Sequence, residues 1–208
     1  MAAQTSLKQQ LHDTLLKKII MTDPQEESIF TEAGIMEEFG TSKSTTREAL
    51  LTLCCEGVLR NIPRCGYQIV RLSHEDAMAI AELRALVELE GLRRSFDAIR
   101  ERFLPQLREF LSETRASGGS HDVWGDWENN RQFHLLLLSF AGNKYFSDCL
   151  ARSLDTQRRA FAQARWQQNR SFEVCPNFSA HESIVDAIQR GDLSQALDLL
   201  AQDIQHAI

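Results

Sequence analysis

The chain has 208 residues, with 23 Lys and Arg against 29 Asp and Glu, for a formal net charge of -6. Taken whole, that acidity speaks against nucleic acid as the main partner, because phosphate backbones attract basic surfaces. The composition, 43% hydrophobic and 25% charged, is that of a globular protein and excludes disordered, collagenous and low-complexity classes. No apolar run approaches the ~20 residues of a membrane span. Polar and charged positions interrupt residues 1–20 throughout, so no secretory signal segment is expected. The five cysteines (Cys54, Cys55, Cys65, Cys149 and Cys175) are odd in number and form no C-x-x-C pair. That excludes a disulfide framework or a cysteine zinc site. A reduced, cytoplasmic protein of one large domain or two small ones is expected.

Leu7, Leu11, Leu15, Leu16 and Ile19 recur at helical spacing and predict an amphipathic first helix. Thr31 is placed to N-cap a short helix carrying Ile35, Met36 and Phe39, with Gly40 as its stop. Ser42 is placed to cap the next helix, which runs to about Glu56 before Gly57. Two short apolar runs, 57–62 and 67–71, flank Pro63-Arg-Cys-Gly66 and predict a β-hairpin, the one strand-like stretch in the chain. Ser73, three residues before Asp76, is a capping-box variant that opens a long helical region. Helices are predicted near 74–95, 98–116, 122–140, 144–168, 178–190 and 192–207. Turns are expected at 117–120, 142–143, 175–177 and 191–192. Cys54, Cys55 and Cys149 fall in helices and are expected to include ordinary buried residues. Cys65 occupies the exposed hairpin tip, the position suited to redox sensing.

The predicted fold class is mainly α. Three helices and a two-stranded hairpin form a winged helix-turn-helix over residues 1–72, and an all-α bundle follows over 73–208. This division resolves the charge. Residues 1–72 hold eight basic and nine acidic side chains, so most of the negative charge lies beyond them. Within 41–71, five basic residues face two acidic ones.

In a helix-turn-helix, the second helix enters the major groove by its N-terminal end. Here that end carries Ser42, Lys43, Ser44, Thr45 and Arg47. Hydroxyls and a helix N-terminus suit phosphate oxygens, and a guanidinium fork matches guanine O6 and N7. Arg64 and Gly66 at the hairpin tip suit the minor groove, where a cation and a bare backbone can come close. The same residues also suit a plain solvated helix start, and spacing alone does not separate the two.

The motif Ser42-Lys-Ser-x-x-Arg-Glu-Ala-Leu50, then Leu53-x-x-Glu-Gly57, then the Gly66 wing, resembles the GntR family of transcription regulators. The resemblance implies that Ser42, Lys43, Ser44 and Arg47 contact DNA, with Arg64–Gly66 in the minor groove. Two departures stand out. Lys43 replaces the family's usual Arg, which keeps the charge but loses bidentate geometry. Ala33 stands where the preceding helix often carries an Arg.

In the second half, Asn130 and His134 share one helix face at i, i+4 spacing, while His181 and Asp203 lie on later helices. A bundle can bring such residues to one core metal site, and a lone His in an apolar helix can equally be a hydrogen-bonded core residue. The segments Arg84-Ala-Leu-Val-Glu88, Asn130-x-x-Phe-His134, Ala141-Gly-Asn143, His181-x-x-Ile184 and Ala187-Ile-x-x-Gly-Asp192-x-x-x-Ala196 resemble the FCD ligand-binding domain of FadR-type GntR regulators. The resemblance implies a divalent metal held by one Asp and three His, together with a small carboxylate effector. Mapped here, the Asp position is Asn130, two His positions are His134 and His181, and the third is Asp203. Two outcomes follow. Either Asp203 supplies the missing carboxylate, giving a set suited to Zn, Ni or Fe, or the site has lost its metal. Arg84 is the candidate for the effector carboxylate, with a surface or inter-helix salt bridge as its plain alternative. His206, one turn past Asp203, is a lesser substitute ligand.

The resulting expectation is not an enzyme but a DNA-binding transcription regulator, in family habit a repressor. It would be a homodimer on a double-stranded operator, controlled by a small organic acid, with no membrane partner. A helical metalloenzyme using His134, His181 and Asp203 is the competing class, and neither an E-x-x-H nor an H-E-x-x-H motif supports it. A regulator whose helical half only dimerises is the third reading.

Overall fold

The computed structural model describes residues 6–22, 29–116, 123–167 and 178–206. The expected turns at 117–120 and 175–177, and Cys175, lie outside the described residues. Contacts divide the chain into two compact units, residues 1–72 with 162–169, and residues 73–161 with 170–208.

The first unit is built from α1 (Leu7–Ile20), β1 (Ile29–Phe30), α2 (Glu32–Phe39), α3 (Lys43–Cys55), β2 (Leu59–Ile62) and β3 (Gly66–Ile69). Each helix starts on the hydroxyl the sequence offers. Ser6, Thr31 and Ser42 accept from the backbone N–H of Gln9, Gly34 and Thr45. Gly40 closes α2 at φ 62°, a left-handed cap that costs glycine no Cβ clash. Leu11, Leu15 and Ile19 of α1 pack with Ile35, Ala49, Leu50, Leu53, Val58, Leu59 and Tyr67 into one core. Leu7 departs from the expected stripe and is exposed, because it is the first residue of its helix and lies beyond that core.

The sheet has three strands in the order β1-β3-β2, one more than the predicted hairpin. Ile29 pairs with Gln68 and Phe30 with Tyr67, antiparallel. Two residues are too few to show period-2 alternation, so β1 is invisible to pattern reading. The hairpin itself pairs Leu59 with Ile69 and Ile62 with Gly66.

The second unit contains α4 (His74–Ala98), a π-helical segment (Ile99–Phe103), α5 (Leu104–Ala116), α6 (Val123–Ser139), α7 (Lys144–Gln167, whose end belongs to the first unit), α8 (Phe178–Arg190) and α9 (Leu193–His206). The Ser73/Asp76 capping box is fully formed at the start of α4. The expected break near residue 96 is absent, and α4 passes through the π segment into α5. Near that point the buried Ser95 hydroxyl donates to the Gly91 carbonyl one turn back in the same helix. Pro105 lacks an N–H and its ring crowds the carbonyl four residues back, which accounts for the widened ladder just before it. The core combines Leu92, Phe96, Ile99, Leu107, Leu111, Phe133, Leu137, Ile184, Val185, Ile188, Leu200 and Ile204. Full burial of such side chains is worth about 1.5–3 kcal/mol each.

The cysteines correct one expectation. Cys54 and Cys149 are half-buried and Cys55 and Cys65 exposed, so none of these four is fully buried, although Cys54 packs against the first core.

Candidate functional site

Two places concentrate chemistry, one in each unit. In the first, the N-terminal turn of α3 is open to solvent. Lys43 and Arg47 are exposed and have no ion-pair partner among the described residues. The Ser42 hydroxyl accepts from Thr45 N–H and shares a 2.9 Å hydrogen bond with the Thr45 hydroxyl, and Ser44 donates to Glu48. The turn is anchored from below. Thr46 is fully buried and bonds Thr41 across the helix-turn-helix corner at 2.8 Å, while Ala49, Leu50 and Leu53 fill the core. The sequence thus fixes which face α3 buries and which it presents.

At the hairpin tip, Cys65 N–H donates to the Ile62 carbonyl at 3.0 Å, closing a turn with Pro63 and Arg64 at its centre. Arg64 sits at φ 67°, the left-handed value that the third position of such a turn needs beside a proline. A non-glycine residue there carries about 1–2 kcal/mol of strain. Its side chain is exposed. Gly66 follows at φ 131°, and a Cβ on it would lie 2.4 Å from the Phe30 carbonyl oxygen of β1. The backbone of β1 therefore requires glycine there.

In the second unit, α6, α8 and α9 bring His134, His181 and Asp203 together in the core, all at most 5% exposed. One ligand atom from each lies within 4.8 Å of the other two. His134 Nε2 is 2.9 Å and His181 Nε2 is 3.7 Å from Asp203 Oδ2. Among the described residues, no group outside the cluster hydrogen-bonds these two nitrogens or the two Asp203 oxygens. Four ligand atoms that converge in the core, two imidazole and two carboxylate, fit a divalent cation. The Phe133 ring stacks on His181, centroids 3.9 Å apart, and fixes its plane.

Two of the three side chains, Asp203 and His181, favour the proton-free form that a cation needs. Burial pushes the Asp203 carboxyl up, but the adjacent imidazoles of His134 and His181 outweigh it and hold the group below the usual carboxylate range. Burial lowers His181, so that imidazole is neutral. Burial likewise disfavours charge on His134, yet Glu88 and Asp203 outweigh it and raise its pKa. The proton favoured on His134 must therefore leave as a cation binds, so uptake would be coupled to proton release.

Asn130 lies one turn before His134 on α6, and its Oδ1 is buried without a partner among the described residues. His206 is exposed and its Nδ1–H donates to the Gln202 carbonyl, which takes it out of the cluster. Arg84 is 1% exposed, so the surface salt bridge considered from sequence is replaced by a buried one. Its Nε donates to Glu88 at 2.8 Å, its Nη1 to Gln157 on α7, and its Nη2 has no partner among the described residues.

Sequence reasoning gave no role to Glu88, which is 2% exposed and accepts from His134 Nδ1–H at 2.6 Å. The i, i+4 spacing of Arg84 and Glu88 was the available signal, because a carboxylate there can be paired and buried. Gln157, 1% exposed on α7, carried no pattern that would reveal it.

Comparison with known proteins follows this geometry. Residues 79–206 match the model of the FCD domain. A Bacillus subtilis (strain 168) protein, the uncharacterized HTH-type transcriptional regulator YdhC, is 30% identical over 122 residues, 57% of this chain and 54% of that one. The chain therefore spans about half the length of this curated relative. Among solved structures, Escherichia coli McbR/YncC superposes with a TM-score of 0.73 at 17% identity, covering 98% of this chain and 95% of that one. A candidate GntR transcriptional regulator from Rhodococcus sp. RHA1 superposes at 0.68 and 21% identity, covering 98% and 96%. These structures share the winged-helix and helical-bundle fold. None of the three relatives is described as an enzyme. Among the described residues, no helix is long and apolar enough to cross a membrane.

Proposed function

Because the chain belongs to the FCD-domain family and joins that domain to a winged helix-turn-helix as GntR-type regulators do, we propose that it is a cytoplasmic transcription regulator that represses from a DNA operator. Residues 1–72 hold the DNA-binding part and 73–208 the sensing and dimerising part. In this reading, Ser42, Ser44, Thr45 and Lys43 grip phosphates, Arg47 reads a base in the major groove, and Arg64 with Gly66 approaches the minor groove. A homodimer matches the two-fold symmetry of a palindromic site.

The observation that carries the sensing half is the convergence of buried ligand atoms on His134, His181 and Asp203. These three would hold Zn, Ni or Fe in the divalent state, with Asn130 as a weak fourth ligand. A bound cation supplies Lewis acidity and open coordination positions for the carboxylate of a small organic acid. Arg84 Nη2, which has no partner among the described residues, is the second attachment point for that carboxylate. Ligand binding would then bias the two DNA-reading heads between a competent and an incompetent arrangement.

The test is selection of binding sites from random duplex DNA with the full chain, followed by release assays. Metal-loaded protein is expected to bind a palindrome and to lose affinity with at least one small carboxylate. Thermal-shift screening with and without Zn or Ni identifies that acid, since a ligand at 100 times its Kd adds about 2.7 kcal/mol of stability. A chain that selects no DNA sequence refutes the regulator reading. One that binds DNA but takes up neither metal nor carboxylate is a regulator whose helical part only dimerises.

A further inference from the structure

The buried network extends beyond the proposed ligands, and its outer member is Glu88. Its two oxygens face two different donors: Oε1 takes Arg84 Nε–H at 2.8 Å and Oε2 takes His134 Nδ1–H at 2.6 Å. All three side chains are at most 2% exposed, so water does not compete for these bonds. An ionised carboxylate can only accept, so Glu88 holds a hydrogen of His134 on Nδ1, which leaves Nε2 as the nitrogen whose lone pair a cation can take. Nε2 is the atom that faces Asp203 and His181. The approach of the two helices is built in one turn further along. Gly91 on α4 packs against Leu138 on α6 so closely that an added Cβ would fall 2.1 Å from the leucine Cδ1. The small residue lets α4 come near enough to α6 for Glu88 to reach His134.

We propose that Glu88 is the positioning residue of the metal centre: held by Arg84, it fixes the tautomer and ring orientation of His134 so that Nε2 is free to bind a divalent cation. This rests on the metal reading above. Outer hydrogen bonds of this kind orient ligating imidazoles and raise their basicity, and their loss typically costs 10–100-fold in metal affinity. Glu88→Gln is the informative change. The single amide oxygen goes to the charged Arg84 donor, and the amide NH2 then faces Nδ1. His134 is driven to carry its hydrogen on Nε2, where it blocks the metal.

The experiment uses the full chain stripped of metal by a chelator and titrated with Zn2+ in competition with a chromophoric chelator. Wild type is expected to take up one Zn2+, His134→Ala to lose it, and Glu88→Gln to bind roughly 10–100-fold more weakly. In Zn2+-loaded wild type, 15N–1H correlation is expected to show His134 with a protected, strongly hydrogen-bonded proton on Nδ1. Glu88→Gln that binds Zn2+ like wild type overturns the proposal while leaving the metal site standing. Absence of the protected Nδ1 proton in wild type does the same, and needs no variant to fold. Wild type that takes up no Zn2+, or His134→Ala that binds it undiminished, removes the metal reading and this proposal with it.

Discussion

His12 in α1 and Glu56, the residue that closes α3, meet at 2.8 Å, Nε2 to Oε2. The other ring nitrogen lies 2.9 Å from Asp13 Oδ1, so both nitrogens of a side chain in a residue only 7% exposed face carboxylates. Burial pushes the imidazole pKa down, but hydrogen bonds and charge from Asp13 and Glu56 outweigh it and leave the pKa raised.

The sign of the pH effect follows. A raised folded pKa means that the charged form favours folding. The contribution is complete below the unfolded value of about 6.5 and is lost as pH rises through the folded value. The gap in unfolding midpoint between wild type and His12→Gln is therefore expected to be wide near pH 5.5 and to narrow by about pH 9. An equal gap at both ends, measured by thermal denaturation, would show that the pair works by packing alone.

Arg47 and Lys43 separate two kinds of contact. Arg47→Ala is expected to lower affinity for the selected operator by about 1–3 kcal/mol and to relax its base preference. Lys43→Ala is expected to weaken all sequences alike and to reduce the salt slope by about one. Fluorescence anisotropy across salt concentrations measures both. The opposite pattern would exchange their roles.

Gly66→Ala and Gly40→Ala should differ although both residues have positive φ. At Gly40, φ is 62° and an added Cβ meets nothing within 4 Å, so the cost is the left-handed backbone alone, about 1–2 kcal/mol. At Gly66 the Cβ also strikes the Phe30 carbonyl oxygen. Denaturant unfolding is expected to show the larger loss for Gly66→Ala, together with weaker pairing of β1. Equal losses would mean that β1 moves aside freely.

Phe133→Ala removes a fully buried ring that stacks on His181. The expected cost is about 3–5 kcal/mol. Zn2+ affinity should fall as well, because His181 loses the surface that sets its plane. A stability loss with unchanged Zn2+ binding would show that the imidazole is held by other neighbours.

Much of the fold was legible because it depends on local rules. Thr31, Ser42 and Ser73 are caps by their hydroxyls, and the spacing of Leu11, Leu15 and Ile19 names the buried face of α1. Ser42, Lys43 and Arg47 could be placed at one exposed helix end from spacing alone. What stayed hidden depends on distant partners. β1 is a strand only because β3 offers it an edge. The continuity of α4 into α5 depends on how Ser95 and Pro105 are accommodated. His134, His181 and Asp203 could be named together through a family resemblance, but periodicity had no means to show that Glu88 would meet His134. That contact crosses 46 positions and depends on Gly91 lying against Leu138.

The left-handed Arg64 at the tip of the wing sets two selective pressures against each other. Glycine would relieve its backbone of about 1 kcal/mol and remove the proposed minor-groove cation in the same change. A library of residue-64 variants sorted for heat resistance should therefore enrich glycine, while the same library sorted for operator binding should keep arginine. The ranking at this one position distinguishes a strained turn retained for recognition from one that merely persists.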